Sequence, residues 1–424
     1  MRVDLAYGES GMTIDVPDRA TTVIRPRQLQ AVPDERADVG GPQRQDQRGP
    51  PLRERVRPGQ SVAISVCDGT RPQPRHLMVP ALLEVLEPVV GLDRIVVLVA
   101  TGTHRGNTQT ELEDMLGRDV LAAVRVINHD ARDDASLRWF GRLAGDVPVW
   151  LNHLWLDANV RITTGFVEPH FFAGFSGGPK LAAPGLAGLE TVLALHDARR
   201  IGHPAATWGI TVGNPVHDAV REIAERTGVD FTFDVLLDRH HHIVQVFAGD
   251  LLATHAMACR AAKELAMAPV PHPFDVVVTT NSGFPLDQNL YQAVKGLAAG
   301  AAVVRPGGTI ICAAECRDGF PDHGSYRDVL QSQPSPEALL RAIEARPHTV
   351  ADQWQVQVQA RIQSRARVVM CTAGLTRPEL ASAHMDHTDD VTGAVRDELG
   401  RLGPDATLCV LPEGPQTIPF VDAR

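Results

Sequence analysis

From residue 61 onward, short apolar runs alternate with helix-like stretches, and this alternation leaves few folds open. The run SVAISV (61–66) precedes the helical stretch HLMVPALLEVLEPV. The run RIVVLVA (94–100) precedes TQTELEDMLG, a helix opened by a Thr cap and closed by Gly117. Strands alternating with helices imply a mostly parallel sheet covered by helices on both faces. On such sheets, ligands bind beyond the carboxyl ends of the strands. Two loops stand at such ends: Cys67-Asp68-Gly69-Thr70-Arg71-Pro72 and Thr101-Gly102-Thr103-His104-Arg105.

The stretch RAAKELAMAPVPHP reads as a helix running into a Pro-rich link, which sets a domain boundary near residue 271. FDVVVTTNSG then opens a second α/β unit, with TIICAAEC and RVVMCTAG as further strands. The expected organisation is two α/β domains, 1–270 and 271–424, with mostly parallel sheets and an active site in the cleft between them. Residues 3–16 read as a hairpin around Gly8-Glu9-Ser10-Gly11. Residues 25–60 are rich in Arg, Gln, Pro, Asp and Gly without an apolar period, and read as surface loop or disorder.

The net charge of −10 does not favour nucleic acid or anionic membranes as partners, although a local pocket can still be basic. Six scattered cysteines in 424 residues read as reduced thiols. No run of about 18 apolar residues occurs, and MRVDLAYGES has no apolar core of signal-peptide length. The expected location is the cytoplasm.

The densest chemistry lies in Glu168-Pro169-His170, continuing FFAGFSGGPK to Lys180. Gly174, Gly177 and Gly178 surround Ser176, and such glycines let backbone N–H groups approach a ligand. Pro179 and Leu181 flank the lysine, so the loop is not a Walker A sequence. Composition alone leaves a tight structural turn and an anion-binding loop both open. His196 follows in the helical stretch LETVLALHDARR.

Five separated motifs resemble the nickel-dependent lactate racemase family: Asp68-x-Thr70-Arg71-Pro72, Thr101-Gly102-x-His104-Arg105, Glu168-Pro169-His170 with Ser176-Gly177-Gly178-x-Lys180, His196, and Tyr291-Gln292-x-x-Lys295. Their order and approximate spacing fit from about residue 61 to the end. Pro179 departs from the pattern, where a basic residue often precedes the lysine. The resemblance implies a nickel-pincer nucleotide, a pyridinium mononucleotide whose two sulfur-containing arms hold nickel, attached covalently at Lys180. It implies His196 as the protein's nickel ligand, and His104 and His170 as paired acid/base groups. Arg71 and Lys295 would hold the substrate carboxylate beside Tyr291 and Gln292. Asp68, Thr70, Ser176, Gly177 and Gly178 would belong to the cofactor site. The implied activity is inversion of the hydroxyl-bearing carbon of a 2-hydroxy acid by hydride transfer. The implied partners are a carboxylase, a sulfur transferase and a nickel insertase that make the cofactor.

Two enantiomers present their hydroxyls on opposite sides, so two bases are needed, and neutral imidazole suits both. Arg offers a planar, bidentate grip on a carboxylate. Asp68 would orient Arg71 or another cation in its loop. The alternative is a carrier that holds the cofactor, or a nucleotide, without turnover. A nicotinamide-dependent dehydrogenase is disfavoured by the lack of G-x-G-x-x-G after the first strands. His240-His241-His242 reads as a polar hairpin turn, and Cys312 with Cys316 has no partner pair for zinc. His129, His203 and His217 carry no assignment.

Overall fold

The computed structural model describes residues 1–41, 49–322 and 324–422. The chain divides into two compact units. One comprises Gln28–His196 and His203–Leu265; the other comprises Met1–Arg27, Asp197–Gly202 and Ala266–Arg424.

The first unit is built on a six-stranded sheet. Its order is Ile243–Gly249, Phe231–Leu237, Val160–Phe166, Val62–Cys67, Ile95–Ala100, Arg125–Asn128. All neighbours are parallel except the first pair. Strand Val62–Cys67 is buried at all six positions, as a central strand covered on both faces must be. Its alternate residues serve two cores. Val62, Ile64 and Val66 pack with Met78, Leu82 and Leu86 of helix Arg75–Val90. Ala63 packs on the other side with Val192, Leu195, Val220 and Ile223. This period of two is what places successive side chains on opposite faces. Each fully buried side chain of this size contributes roughly 1.5–3 kcal/mol.

The second unit carries another six-stranded sheet, wholly parallel, ordered Asp386–His387, Arg367–Cys371, Val304–Ala313, Phe274–Thr280, Leu408–Val410, Thr21–Val23. The α/β class with mostly parallel sheets is therefore as read from the sequence.

The division expected at 1–270 and 271–424 differs from these units at the amino terminus and at Asp197–Gly202. Thr21–Val23 is an edge strand beside Leu408–Val410, so residues 1–27 complete the second unit's sheet. The hairpin Arg2–Leu5/Met12–Asp15 forms as expected, and Val3, Leu5 and Ile14 enter that unit's core. The expected Pro-rich link after residue 266 is instead a short strand, Met267–Val270, paired in parallel with Ile418–Val421.

Residues 25–60 need correction. Asp34 caps helix Glu35–Gly40, and Leu52–Arg55 forms a second short helix. Val39, Leu52 and Val56 are buried in the first unit's core. Arg55 ties the segment down through Asp250 (2.7 Å) and the carbonyl of Asp230 (2.5 Å). Helices of six and four residues are too short to show an apolar period. Residues 42–48 of that expectation lie outside the described residues. No helix among the described residues is long and apolar enough to cross a membrane.

Candidate active site

Adjacent parallel strands Val62–Cys67 and Ile95–Ala100 end together, and their loops meet. Buried Asp68 accepts a hydrogen bond from His104 Nδ1 through Oδ2 (2.7 Å) and from the Thr70 hydroxyl through Oδ1 (2.7 Å). Burial pushes the Asp68 carboxyl up, but the hydrogen bonds and charge of His104, with Thr70 and Arg71, outweigh it and hold it below its ordinary value. Asp68 thus stays ionised and fixes the Nδ1–H tautomer of His104. The lone pair of His104 then lies on Nε2, and the ring is half exposed.

The expectation that Asp68 orients a cation of its own loop is replaced by this histidine pairing. The loop's organiser is Arg75, which sequence reasoning missed. Its buried guanidinium donates to the carbonyls of Cys67 (2.9 Å), Gln73 (2.6 Å) and Arg71 (2.8 Å), and to that of Asp68. Arg71 therefore stands at the apex of a loop clamped from below.

The second half of the site is the segment after strand Val160–Phe166. Pro169–His170 pairs with Gly174–Phe175 in a two-residue hairpin. Ala173 N–H donates to His170 Nδ1 (3.2 Å), so the neutral ring carries its hydrogen on Nε2. The Ser176 hydroxyl donates to the Phe166 carbonyl and accepts from Glu168 N–H, both at 2.9 Å. Gly177 and Gly178 have φ of 75° and 48°. A Cβ at Gly177 would lie 2.7 Å from Val167, and one at Gly178 would lie 2.6 Å from the His255 ring. Only glycine fits both the conformation and the close packing.

Phe172, also missed from sequence, gathers the remaining groups. Its buried ring lies 4.5 Å from the His170 ring and 5.4 Å from that of His196. Lys180 Nζ is 5.9 Å from its centroid. The Asn214 side chain, which caps helix Pro215–Thr227, holds the Phe172 carbonyl (2.9 Å). His196 caps helix Leu189–Leu195, and its Nδ1 donates to the Val192 carbonyl (2.7 Å). Its Nε2 consequently carries a lone pair. The two halves join through backbone: Gly102 N–H donates to the Gly185 carbonyl, and Gly185 N–H to that of Lys180, both at 3.0 Å. The Ser65 hydroxyl reaches the Leu181 carbonyl (2.7 Å).

The structure thus brings Asp68, Thr70 and His104 into one network, and His170, Lys180 and His196 around one ring. Tyr291, Gln292 and Lys295 belong to the other unit, on the first turns of helix Leu290–Ala301. Asn289 caps that helix by accepting from Gln292 N–H (3.0 Å), and the Tyr291 ring packs against Tyr326 at 5.3 Å. His129 is structural: it is buried, donates to the Ala187 carbonyl (3.0 Å), and receives Asn152 (3.3 Å). His240–His242 form the turn between strands Phe231–Leu237 and Ile243–Gly249, as expected.

The lactate racemase N-terminal domain family matches residues 7–209, and the lactate racemase C-terminal domain family matches residues 270–418. The chain belongs to the lactate racemase family. It is 32% identical to a lactate racemase of Thermoanaerobacterium thermosaccharolyticum over 420 residues, 98% of each chain. It is 37% identical to a lactate racemase of Lactiplantibacillus plantarum over 365 residues, 86% of each. The structure of the Thermoanaerobacterium lactate racemase apoprotein superposes with a TM-score of 0.91 at 31% identity, covering 99% of this chain and all of that one. A Thermotoga maritima protein shares the fold at 19% identity and a TM-score of 0.66.

One buried acid beside this racemase's lysine loop has a measurable consequence. Asp234 accepts the Gly178 N–H and the Thr232 hydroxyl, each at 3.3 Å. Burial pushes its carboxyl up to about 7, against the pull of those two hydrogen bonds. Its folded value lies above its unfolded one, so the native state binds the extra proton between about pH 4 and 7. Asp234 therefore subtracts stability progressively as pH rises across that window. Asp234→Asn is expected to raise the melting temperature most at pH 8 and hardly at all at pH 4. The limiting difference is on the order of 4 kcal/mol. Thermal unfolding of both chains at the two pH values decides it; equal shifts at both would contradict a buried, proton-holding Asp234.

Proposed function

We propose that this enzyme interconverts the enantiomers of lactate or a related 2-hydroxy acid with a nickel-pincer nucleotide attached at Lys180. The observation that supports this most is the grouping of His170, Lys180 and His196 around Phe172.

The residues present fit such a group. Gly177 and Gly178 pack directly on Val167 and His255, which fixes the backbone just ahead of Lys180. His196 offers an Nε2 lone pair on a ring oriented by the Val192 carbonyl, which is how a metal-binding imidazole is usually held. Among the described residues, no three His, Cys, Asp or Glu side chains gather to hold a metal. Nickel here would thus need donors beyond the chain, and sulfur arms with one imidazole suit nickel(II). When bound, the cofactor supplies nickel and a reversible hydride acceptor at the substrate's carbinol carbon.

The chain's own residues account for the proton chemistry. His104 Nε2 accepts the substrate hydroxyl proton, and ionised Asp68 stabilises the imidazolium that results. His170 holds a hydrogen on Nε2 in its neutral form, so the two rings rest in complementary states. To donate, His170 first takes a proton on Nδ1 and gives up the Ala173 bond; the imidazolium then passes its Nε2 proton to the alkoxide and is left neutral, and reaction in the opposite sense exchanges the roles of the two rings. Arg71, on its clamped loop, holds the substrate carboxylate. Lys295, with Tyr291 and Gln292, is assigned the same task on family correspondence.

The deciding experiment uses the chain produced together with the carboxylase, sulfur transferase and nickel insertase. Enantiopure 2-hydroxy acids are incubated with it and followed by chiral chromatography. Racemisation of lactate or a close relative is expected. Nickel and a Lys180 adduct without racemisation of any acid tested would favour a carrier instead. Asp68→Asn, which no longer enforces the His104 tautomer, is expected to lower kcat about 10²-fold with KM changed less than about twofold. An equal loss in KM would mean that Asp68 binds substrate rather than positioning the base.

A further inference from the structure

Below the Ser176–Lys180 loop lies a buried polar floor that the proposed reaction does not use. His255, on helix Leu251–Ala266, donates its Nε2–H to the Ser176 carbonyl (2.9 Å). One turn further along, the Cys259 sulfur lies over the same ring, 3.7 Å from His255 Nδ1 and 3.5 Å from Nε2. His217, on helix Pro215–Thr227, stacks on His255 with centroids 5.8 Å apart and planes 14° apart, and donates to the Ala173 carbonyl. Asp234, on strand Phe231–Leu237, takes the Gly178 N–H. Gly178 rests on the face of His255 so closely that no side chain fits between them. Three separate elements thus grip Ala173, Ser176 and Gly178 by their backbone atoms, just ahead of Lys180.

We propose that His255 and His217 are positioning residues for Lys180, fixing the glycine loop so that the lysine amine is presented in one place to an incoming pyridine nucleotide. The inference rests on the reading of Lys180 as the attachment point. Burial pushes both imidazoles down to about 4; the charge of Arg221 for His217, and that of Lys180 for both, act in the same direction. Neutral rings keep the single N–H that each gives to the loop and add no second cation beside the lysine.

The chain has only three lysines, Lys180, Lys263 and Lys295, so amine chemistry can be followed residue by residue. Pyridoxal 5′-phosphate, a phosphorylated pyridine aldehyde, condenses with an amine to an imine with loss of water. Borohydride then delivers hydride to the imine carbon, the nitrogen takes a proton from water, and the label is fixed for peptide mass spectrometry. In the chain without cofactor, Lys180 is expected to label faster than Lys263. His255→Phe, which keeps a ring under Gly178 but donates nothing, is expected to slow Lys180 labelling about tenfold with Lys263 unchanged. His255→Gln restores an N–H donor to the Ser176 carbonyl and is expected to return the rate to within about twofold. A folded His255→Phe chain that labels Lys180 at the wild-type rate overturns the proposal, as does a folded His255→Gln chain without rescue. His217→Ala gives a second, independent reading with the same expected direction. Production with the cofactor-making enzymes tests the underlying assignment separately: an unmodified wild-type Lys180 there removes the attachment reading, while the pyridoxal rates still decide on His255.

Discussion

Lys180→Ala is expected to lose the covalent adduct, the nickel and all racemisation together, with thermal unfolding little changed. The loop's geometry does not depend on the lysine side chain. Lys180 N–H donates to the Gly177 carbonyl, its own carbonyl accepts from Gly185, and the preceding residues are held from beneath by Asp234 and His255. A half-buried lysine replaced within such a frame should shift stability by roughly 0.5 kcal/mol or less. Lys180→Arg separates charge from chemistry. The guanidinium keeps the positive charge beside Phe172, yet it is protonated throughout the working range and is no nucleophile. It is expected to be as inactive as the alanine variant. Intact-protein mass, nickel content and a chiral assay on one preparation check all three losses. Wild-type racemisation by Lys180→Arg would mean that the cofactor is held by contacts alone.

His104→Ala and His170→Ala should each lower kcat by about 10²–10⁴ while the Lys180 adduct is retained. Neither ring is fully buried: His104 is half exposed, and His170, though packed on Phe171 and Phe172, sits on a two-residue hairpin and is half-buried. The losses should show in kcat more than in KM, since proton transfer is confined to the reacting hydroxyl. Asp68 acts through His104, so His104→Ala combined with Asp68→Asn should be little slower than His104→Ala alone. A double variant slower by the product of the single effects would give Asp68 a separate role. Loss of racemisation with the adduct retained in both histidine variants distinguishes an enzyme from a carrier, because a carrier would need only Lys180 and His196.

Much of the site could be read from the chain because its groups are clustered. Asp68, Thr70 and Arg71 occupy four positions at the end of one strand, and His170 to Lys180 occupy eleven. Strand ends in parallel sheets are where such groups are useful, so an apolar run ending in Asp-Gly-Thr-Arg already marks a site. The scarcity of lysine was a further signal left unused: two of the three lysines lie in the family motifs. Phe172, Arg75, Asp234 and His255 carried no such mark. An aromatic, an arginine at a helix start, and an acid within the apolar run FTFDVLL each have a bland local explanation. Except for Arg75, whose partners lie within eight positions, their partners lie in other elements, as His255 and Ser176 do, 79 positions apart.

Local sequence determined the α/β class, the buried central strands, the Thr108 cap and the loops that hold the candidate residues, because each depends on neighbours within a few positions. Tertiary structure alone decided that Thr21–Val23 joins Leu408–Val410, and that His104 points its Nδ1 at Asp68. It also decided that the Lys180 loop rests on two stacked imidazoles. Strand pairing and buried hydrogen bonds are selected by the complementarity of surfaces far apart in the chain, and no local propensity encodes that choice.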